Sequence, residues 1–189
     1  MYAATHGVFG ALSPVKAPSG IVAIATRRPT DERSIWSQSN ALVLAAIDLQ
    51  DPGNLGSLLR AGEAGGATGA IVAGVSANPF SWKSLRGSMG SLLRLPVVGG
   101  VDPFTIPAAA KSARVRTVAT VPRGGREPDA VKWTGSIALL LGGEGAGLSV
   151  ALVEQCDERV TLPMAAPVDS LNVAVAGAIL VYAARRQRL

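Results

Sequence analysis

The chain has 189 residues, 48% hydrophobic and 16% charged, which is enough apolar side chain for one domain with a substantial core and excludes a disordered or low-complexity segment. Eighteen Lys plus Arg against thirteen Asp plus Glu give a net charge of +5, which suits an anionic partner such as nucleic acid without demanding one. One cysteine, Cys156, and one histidine, His6, exclude a disulfide framework and a Cys-rich zinc site and leave metal catalysis and Cys-His or Ser-His nucleophiles poorly supported.

In chain order, residues 20–26 (GIVAIAT) read as a short apolar strand and 27–40, with Pro29, Asp31, Ser37 and Ser39, as a polar linker. Residues 41–48 (ALVLAAID) predict a buried strand closed by Asp51-Pro52-Gly53, and the spacing of Leu55, Leu58 and Leu59 predicts a helix over 55–64. Gly62, Gly65 and Gly66 are expected to loosen its end. Further strands are predicted over 68–75, 96–101, 115–121 and 137–141, with helices over 104–113 and 148–155. This alternation predicts an α/β domain with a mainly parallel sheet covered by helices on both faces.

The last segment, 170–189, predicts a helix that is apolar on most sides through Leu171, Val175, Ile179, Leu180 and Tyr182, either deep in a core or shared with a second subunit. Arg185, Arg186 and Arg188 in its last turn read as a solvated complement to the helix dipole, with direct RNA contact as the alternative. No apolar stretch reaches the roughly 18 to 20 residues of a membrane span, and the N-terminus has no signal pattern. The expectation is a cytoplasmic protein, with neither membrane nor metal as a partner.

Two constellations carry chemistry. Gly142-Gly143-Glu144-Gly145-Ala146-Gly147 closes an apolar strand, but its glycines have neither the dinucleotide spacing nor the Lys-Ser/Thr ending of a phosphate loop. It is either a plain turn or a place of close backbone approach to a ligand. Glu144, set among small residues, needs a partner, and Arg60 is the candidate. Asn54 reads as the N-cap of the helix that carries Arg60. Leu162-Pro163-Met164 and Ser170-Leu171-Asn172 then open the terminal helix, where Ser170 could be a cap and Asn172 could satisfy nearby backbone.

In order and wording these motifs resemble the SpoU/TrmH family of RNA ribose 2′-O-methyltransferases, of the SPOUT superfamily. The resemblance covers about residues 20–189, through Asp51-Pro52-Gly53-Asn54-Leu55-Gly56 to Arg60, Leu141 to Ser149, and Leu162-Pro163-Met164 with Ser170 to Ala176. It implies an α/β fold with a C-terminal deep trefoil knot (the SPOUT α/β-knot) and a homodimer formed through the terminal helix and knot region. It implies S-adenosyl-L-methionine as cofactor, held by Gly142, Gly143, Gly145, Leu162, Met164 and Leu171. The family's catalytic positions fall on Arg60, Asn54, Glu144, Ser170 and Asn172. The implied activity is methyl transfer to a ribose 2′-hydroxyl of structured RNA, ribosomal RNA before tRNA, because Arg86-Gly87-Ser88-Met89-Gly90 resembles a stretch of the ribosomal RNA branch; read without that likeness, it is a polar turn. The alternatives are a tRNA methyltransferase and a catalytically silent RNA-binding member, and the glycine spacing argues against an oxidoreductase. Relatives commonly carry an N-terminal RNA-recognition domain, so residues 1–30 are expected to be the tail of such a domain plus linker, and 31–189 the methyltransferase domain.

Overall fold

The computed structural model describes residues 2–13, 15, 20–27 and 29–189. Six strands form one sheet: β1 (Leu42–Ile47), β2 (Gly69–Ala73), β3 (Val97–Val101), β4 (Arg116–Thr120), β5 (Ile137–Gly142) and β6 (Glu158–Val160). Their spatial order is β3-β2-β1-β5-β4-β6, and every pairing is parallel. Because side chains alternate across a strand, the apolar runs of β1 and β5 serve two cores. Leu42, Leu44 and Ala46 join Leu139 and Leu141 on one face, while Val43, Ala45 and Ile47 join Ala138 and Leu140 on the other.

Helices α3 (Pro52–Ala64), α4 (Trp82–Ser88) and α7 (Val173–Arg188) cover the first face, and α2 (Glu32–Trp36), α5 (Ile106–Ser112) and α6 (Val150–Val153) the second. An N-terminal helix, α1 (His6–Leu12), buries no residue. Among the described residues, no helix is long and apolar enough to cross a membrane. The chain lays down β1, β2 and β3 outward in one direction and then crosses over, so that β5 enters between β1 and β4. The turns after β1 and β5 therefore diverge from adjacent strand ends, the topological switch point at which open α/β sheets hold ligands.

The structure corrects several expectations. Residues 20–26 form no strand: they are exposed, with Ile24 fully so, and no sheet edge offers their backbone a ladder. The stretch 27–40 is not only linker, since Asp31 caps α2 through the Arg33 amide and Ile35 and Trp36 are buried in the second core. Gly62 does not loosen α3; a Cβ there would overlap Leu44, so the glycine lets the helix lie close to β1. The terminal helix begins at Val173, not at Ser170, with Asn172 as its N-cap.

The last turn of α7 is anchored rather than simply solvated. Arg188 donates to the carbonyls of Trp133 (2.8 Å), Asn40 (2.7 Å), Ala41 (3.0 Å) and Gly135, and burial pushes its guanidinium below the ordinary arginine value. Gln187 bonds the Trp133 amide and the Val131 carbonyl beside it. Arg186, in an exposed pair with Asp129, keeps the surface character expected of it.

Candidate active site

The glycine turn after β5 is shaped by contact as well as by conformation. A Cβ on Gly143 would overlap the Asp48 carbonyl oxygen and lie 2.8 Å from its carbon, and one on Gly142 would lie 2.8 Å from the Gly147 Cα. Both would meet backbone, which cannot swing aside. Gly145 (φ +91°) and Gly147 (φ +65°) instead supply left-handed geometry, and the Gly147 amide closes the turn on the Gly143 carbonyl at 3.2 Å.

Asn54 is not the cap of α3. Asp51 caps it, accepting from the Asn54 amide at 2.7 Å, with Pro52 in the first helical turn. This leaves the Asn54 side chain to act elsewhere. Its Nδ2 donates to Glu144 Oε1 at 2.5 Å, and its Oδ1 accepts from Asn172 Nδ2 at 2.9 Å. Asn172 Nδ2 also reaches Glu144 Oε1, at 3.2 Å, while Asn172 Oδ1 accepts from the amides of Ala174 and Val175 at the start of α7. Three distant stretches thus close into one hydrogen-bonded triangle, and Asn172 serves the helix and the triangle with different atoms.

Arg60 is not part of it. Six residues along an α-helix place a side chain about 9 Å further on and roughly 120° round from the first, so Arg60 stands on the outward, exposed face of α3. The carboxylate of Glu144 is met by the two asparagine amides instead, and it is exposed rather than buried.

Next to the triangle a cavity of about 300 Å³ is lined by the glycine turn, by Leu162, Met164, Ser170 and Leu171 of the segment before α7, and by Thr120 to Pro122 after β4. Gly142, Gly143, Gly145, Leu162, Met164, Ser170 and Leu171 therefore share one wall system, with Glu144 and Asp169 at it; Asp169 lies 3.7 Å from the exposed Arg123 guanidinium. Among the described residues, the amides of Leu162, Met164 and Leu171 have no protein acceptor, so they are available to a ligand. The residues after β4, and Asp169, carry no sequence signal beyond their place at strand and loop ends. Among the described residues, no group of His, Cys, Asp and Glu is gathered that could hold a metal ion. Cys156 lies away from the cavity, and burial pushes its thiol up.

Comparison with known proteins places this geometry in a family. The SpoU rRNA Methylase family matches residues 41–182. A 23S rRNA (guanosine(2553)-2′-O)-methyltransferase, RlmP, of Bacillus subtilis is 33% identical over 96% of this chain and 71% of its own length. A 23S rRNA (uridine(2479)-2′-O)-methyltransferase of Streptomyces viridochromogenes is 36% identical over 92% of this chain, which spans 62% of that relative. Among solved structures, an AdoMet-bound rRNA methyltransferase from Sinorhizobium meliloti superimposes with a TM-score of 0.90 at 32% identity, over 98% of this chain and 71% of that one. The SpoU methyltransferase AviRb from Streptomyces viridochromogenes, in complex with AdoMet, gives 0.80 at 36% identity, over 85% and 66%. With a closed triangle of Asn54, Glu144 and Asn172 at a glycine-walled cavity, and matches of this extent, the chain belongs to the SpoU rRNA methylase family.

Proposed function

We propose that this chain transfers a methyl group from S-adenosyl-L-methionine to a ribose 2′-hydroxyl of ribosomal RNA in the cytoplasm. The observation that carries this reading is the triangle of Asn54, Glu144 and Asn172 beside a cavity walled by the glycine turn and the segment before α7. The cavity suits the cofactor: its volume is in the range of small-ligand sites, and its walls mix leucine and methionine with backbone amides that have no protein acceptor among the described residues. Gly142, Gly143, Gly145, Leu162, Met164 and Leu171 would hold it. When bound, S-adenosyl-L-methionine supplies a sulfonium methyl group that is already electrophilic.

What remains for the protein is to align the acceptor and to favour the charge that develops on its oxygen. Asn54 and Asn172 hold Glu144 in one orientation, and Ser170, exposed at the cavity and without a hydrogen-bond partner among the described residues, offers its hydroxyl to the acceptor. The part of Arg60 is electrostatic: its guanidinium binds a backbone phosphate of the RNA from the outward face of α3. Val175, Ile179 and Tyr182, each more than two-fifths exposed, leave an apolar stripe along α7 through which two copies would pair. In the same reading, the segment 161–172 and the glycine turn, which line one cavity from two sides, belong to the trefoil knot.

The test is transfer of labelled methyl from S-adenosyl-L-methionine to unmethylated ribosomal RNA, followed by nuclease mapping. Label in a ribose of ribosomal RNA is expected; label confined to tRNA, or none, would overturn the reading. Arg60→Ala should raise KM for RNA at least about tenfold with cofactor binding unchanged, and a lysine there that restores the rate would show that charge suffices without a guanidinium fork.

Asn172 allows a sharper separation. Asn172→Ala should lose about 1 kcal/mol of stability with the helix cap, while Asn172→Ser, which can still cap, should stay near wild-type stability. Both remove the donor to Glu144 and Asn54, so both should transfer methyl roughly tenfold more slowly. Urea denaturation alongside single-turnover rates distinguishes the two losses; a serine variant with full activity would leave Asn172 with a capping role alone.

A further inference from the structure

A second cavity, about 600 Å³, lies between α4 and the start of α3, lined by Asp51, Gly53, Lys83, Arg86 and Met89 among others. Asp51 also lines the cavity that holds Asn54 and Glu144, so the two spaces are neighbours through one side chain. Small residues set the distance between the helices. A Cβ on Gly87 would lie 3.1 Å from the Gly53 carbonyl oxygen, one on Gly56 would lie 2.9 Å from the Ser88 amide, and Ser84 and Ser88 are fully buried in the seam.

With Ser84, Gly87 and Ser88 turned inward and Leu85 packed against the first core, α4 presents Trp82, Lys83 and Arg86 outward. Trp82, Arg86 and Met89 follow one another at helical spacing, with Lys83 beside them; Trp82 is 41% exposed and Met89 68%. Met89 holds a left-handed backbone (φ +48°), an uncommon conformation for a residue other than glycine. Among the described residues, neither Lys83 nor Arg86 has an ion pair. The one carboxylate at this cavity, Asp51, is engaged as the cap of α3. Two cations without an ion pair among the described residues, next to an exposed indole, match a flexible polyanion with open ring faces, which is single-stranded RNA.

We propose that α4 and this cavity bind the RNA segment adjoining the methylated nucleotide, Lys83 and Arg86 holding backbone phosphates and Trp82 stacking on an unpaired base. The identity of that RNA rests on the methyl-transfer reading above, but the binding itself does not. The experiment measures anisotropy of a fluorescein-labelled oligouridylate and of an unmethylated ribosomal RNA fragment with the whole chain across a salt series. Lys83→Ala/Arg86→Ala is expected to weaken both about tenfold and to flatten the slope of log affinity against log salt by about 1.4, two single-strand phosphate contacts. Trp82→Ala should weaken binding about tenfold with the slope unchanged, and Trp82→Phe should restore most of it.

Calorimetry with S-adenosyl-L-methionine, expected to be unchanged in every variant, certifies the fold. Unaltered RNA affinity and salt slope in the double variant would overturn the proposal, as would an unaltered Trp82→Ala protein. If the variants lose RNA binding while the wild-type chain transfers no methyl group, this inference stands and the proposed reaction falls. Methyl transfer by the wild type together with full RNA affinity in the variants gives the reverse result.

Discussion

Gly143→Ala is expected to cost at least about 3 kcal/mol of stability and to abolish measurable binding of S-adenosyl-L-methionine. The added Cβ would overlap the Asp48 carbonyl oxygen, and Asp48 has little room to yield. It ends β1 with a left-handed backbone (φ +57°), its amide bonds the Ala73 carbonyl at 3.2 Å, and its carboxylate accepts from the Val75 amide at 2.7 Å. Moving it would disturb three parallel strands at the switch point. Gly145→Ala supplies the contrast, because a Cβ there meets nothing and the cost is only that of a left-handed residue, about 1 to 2 kcal/mol. Urea denaturation and cofactor calorimetry on the two variants separate close approach from conformational freedom. Equal losses in both would mean that the turn is merely a flexible one.

The same two residues show how far sequence could go. A glycine-rich run after an apolar strand marks a turn, and the apolar runs of β1 and β5 mark buried strands, because continuous hydrophobicity over a few residues leaves the backbone little choice. Which glycines are fixed by contact is invisible, since the contact comes from Asp48, nearly a hundred residues earlier. β6 escaped for a related reason. Glu158-Arg159-Val160 has no apolar pattern, and it is held at the sheet edge by Asp157 accepting from Thr117 (2.8 and 2.7 Å) and by Glu158 between Arg116 and Arg126. The run 20–26 errs the other way: it has strand composition and no strand to pair with.

At the site, the cap of α3 was legible. Asp followed by Pro is a helix-start signal, and giving that task to Asp51 frees Asn54 for Glu144. The pairing of Glu144 with Arg60 ignored helical geometry, which carries Arg60 to the outer face before any tertiary contact is considered. The link from Asn172 to Asn54 spans the chain from the first motif to the last, and no local rule reaches that far.

Arg188→Ala should destabilise the protein by about 3 kcal/mol, the second large effect expected, although the residue is one from the chain end, where substitutions are usually tolerated. Its guanidinium meets carbonyls at three places: the residues before β1 (Asn40, Ala41), Trp133, and Gly135 just ahead of β5. Hydrogen bonds to a charged donor contribute more than neutral ones, and truncation leaves the Asn40, Trp133 and Gly135 oxygens without that donor; Ala41 still accepts from the Ile137 amide at 2.8 Å. Burial disfavours the charge, and the ring of carbonyls offsets that cost, so the loss should follow the number of oxygens left unmet. Arg188→Lys, with a single ammonium in place of a fork, should recover about half of the stability. Thermal and urea unfolding of both variants test this, together with hydrogen exchange at the first residues of β1 and β5, which should lose protection first because the arginine ties α7 to both. Unfolding midpoints unchanged in the alanine variant would return Arg188 to the solvated surface role that its position in the sequence suggests.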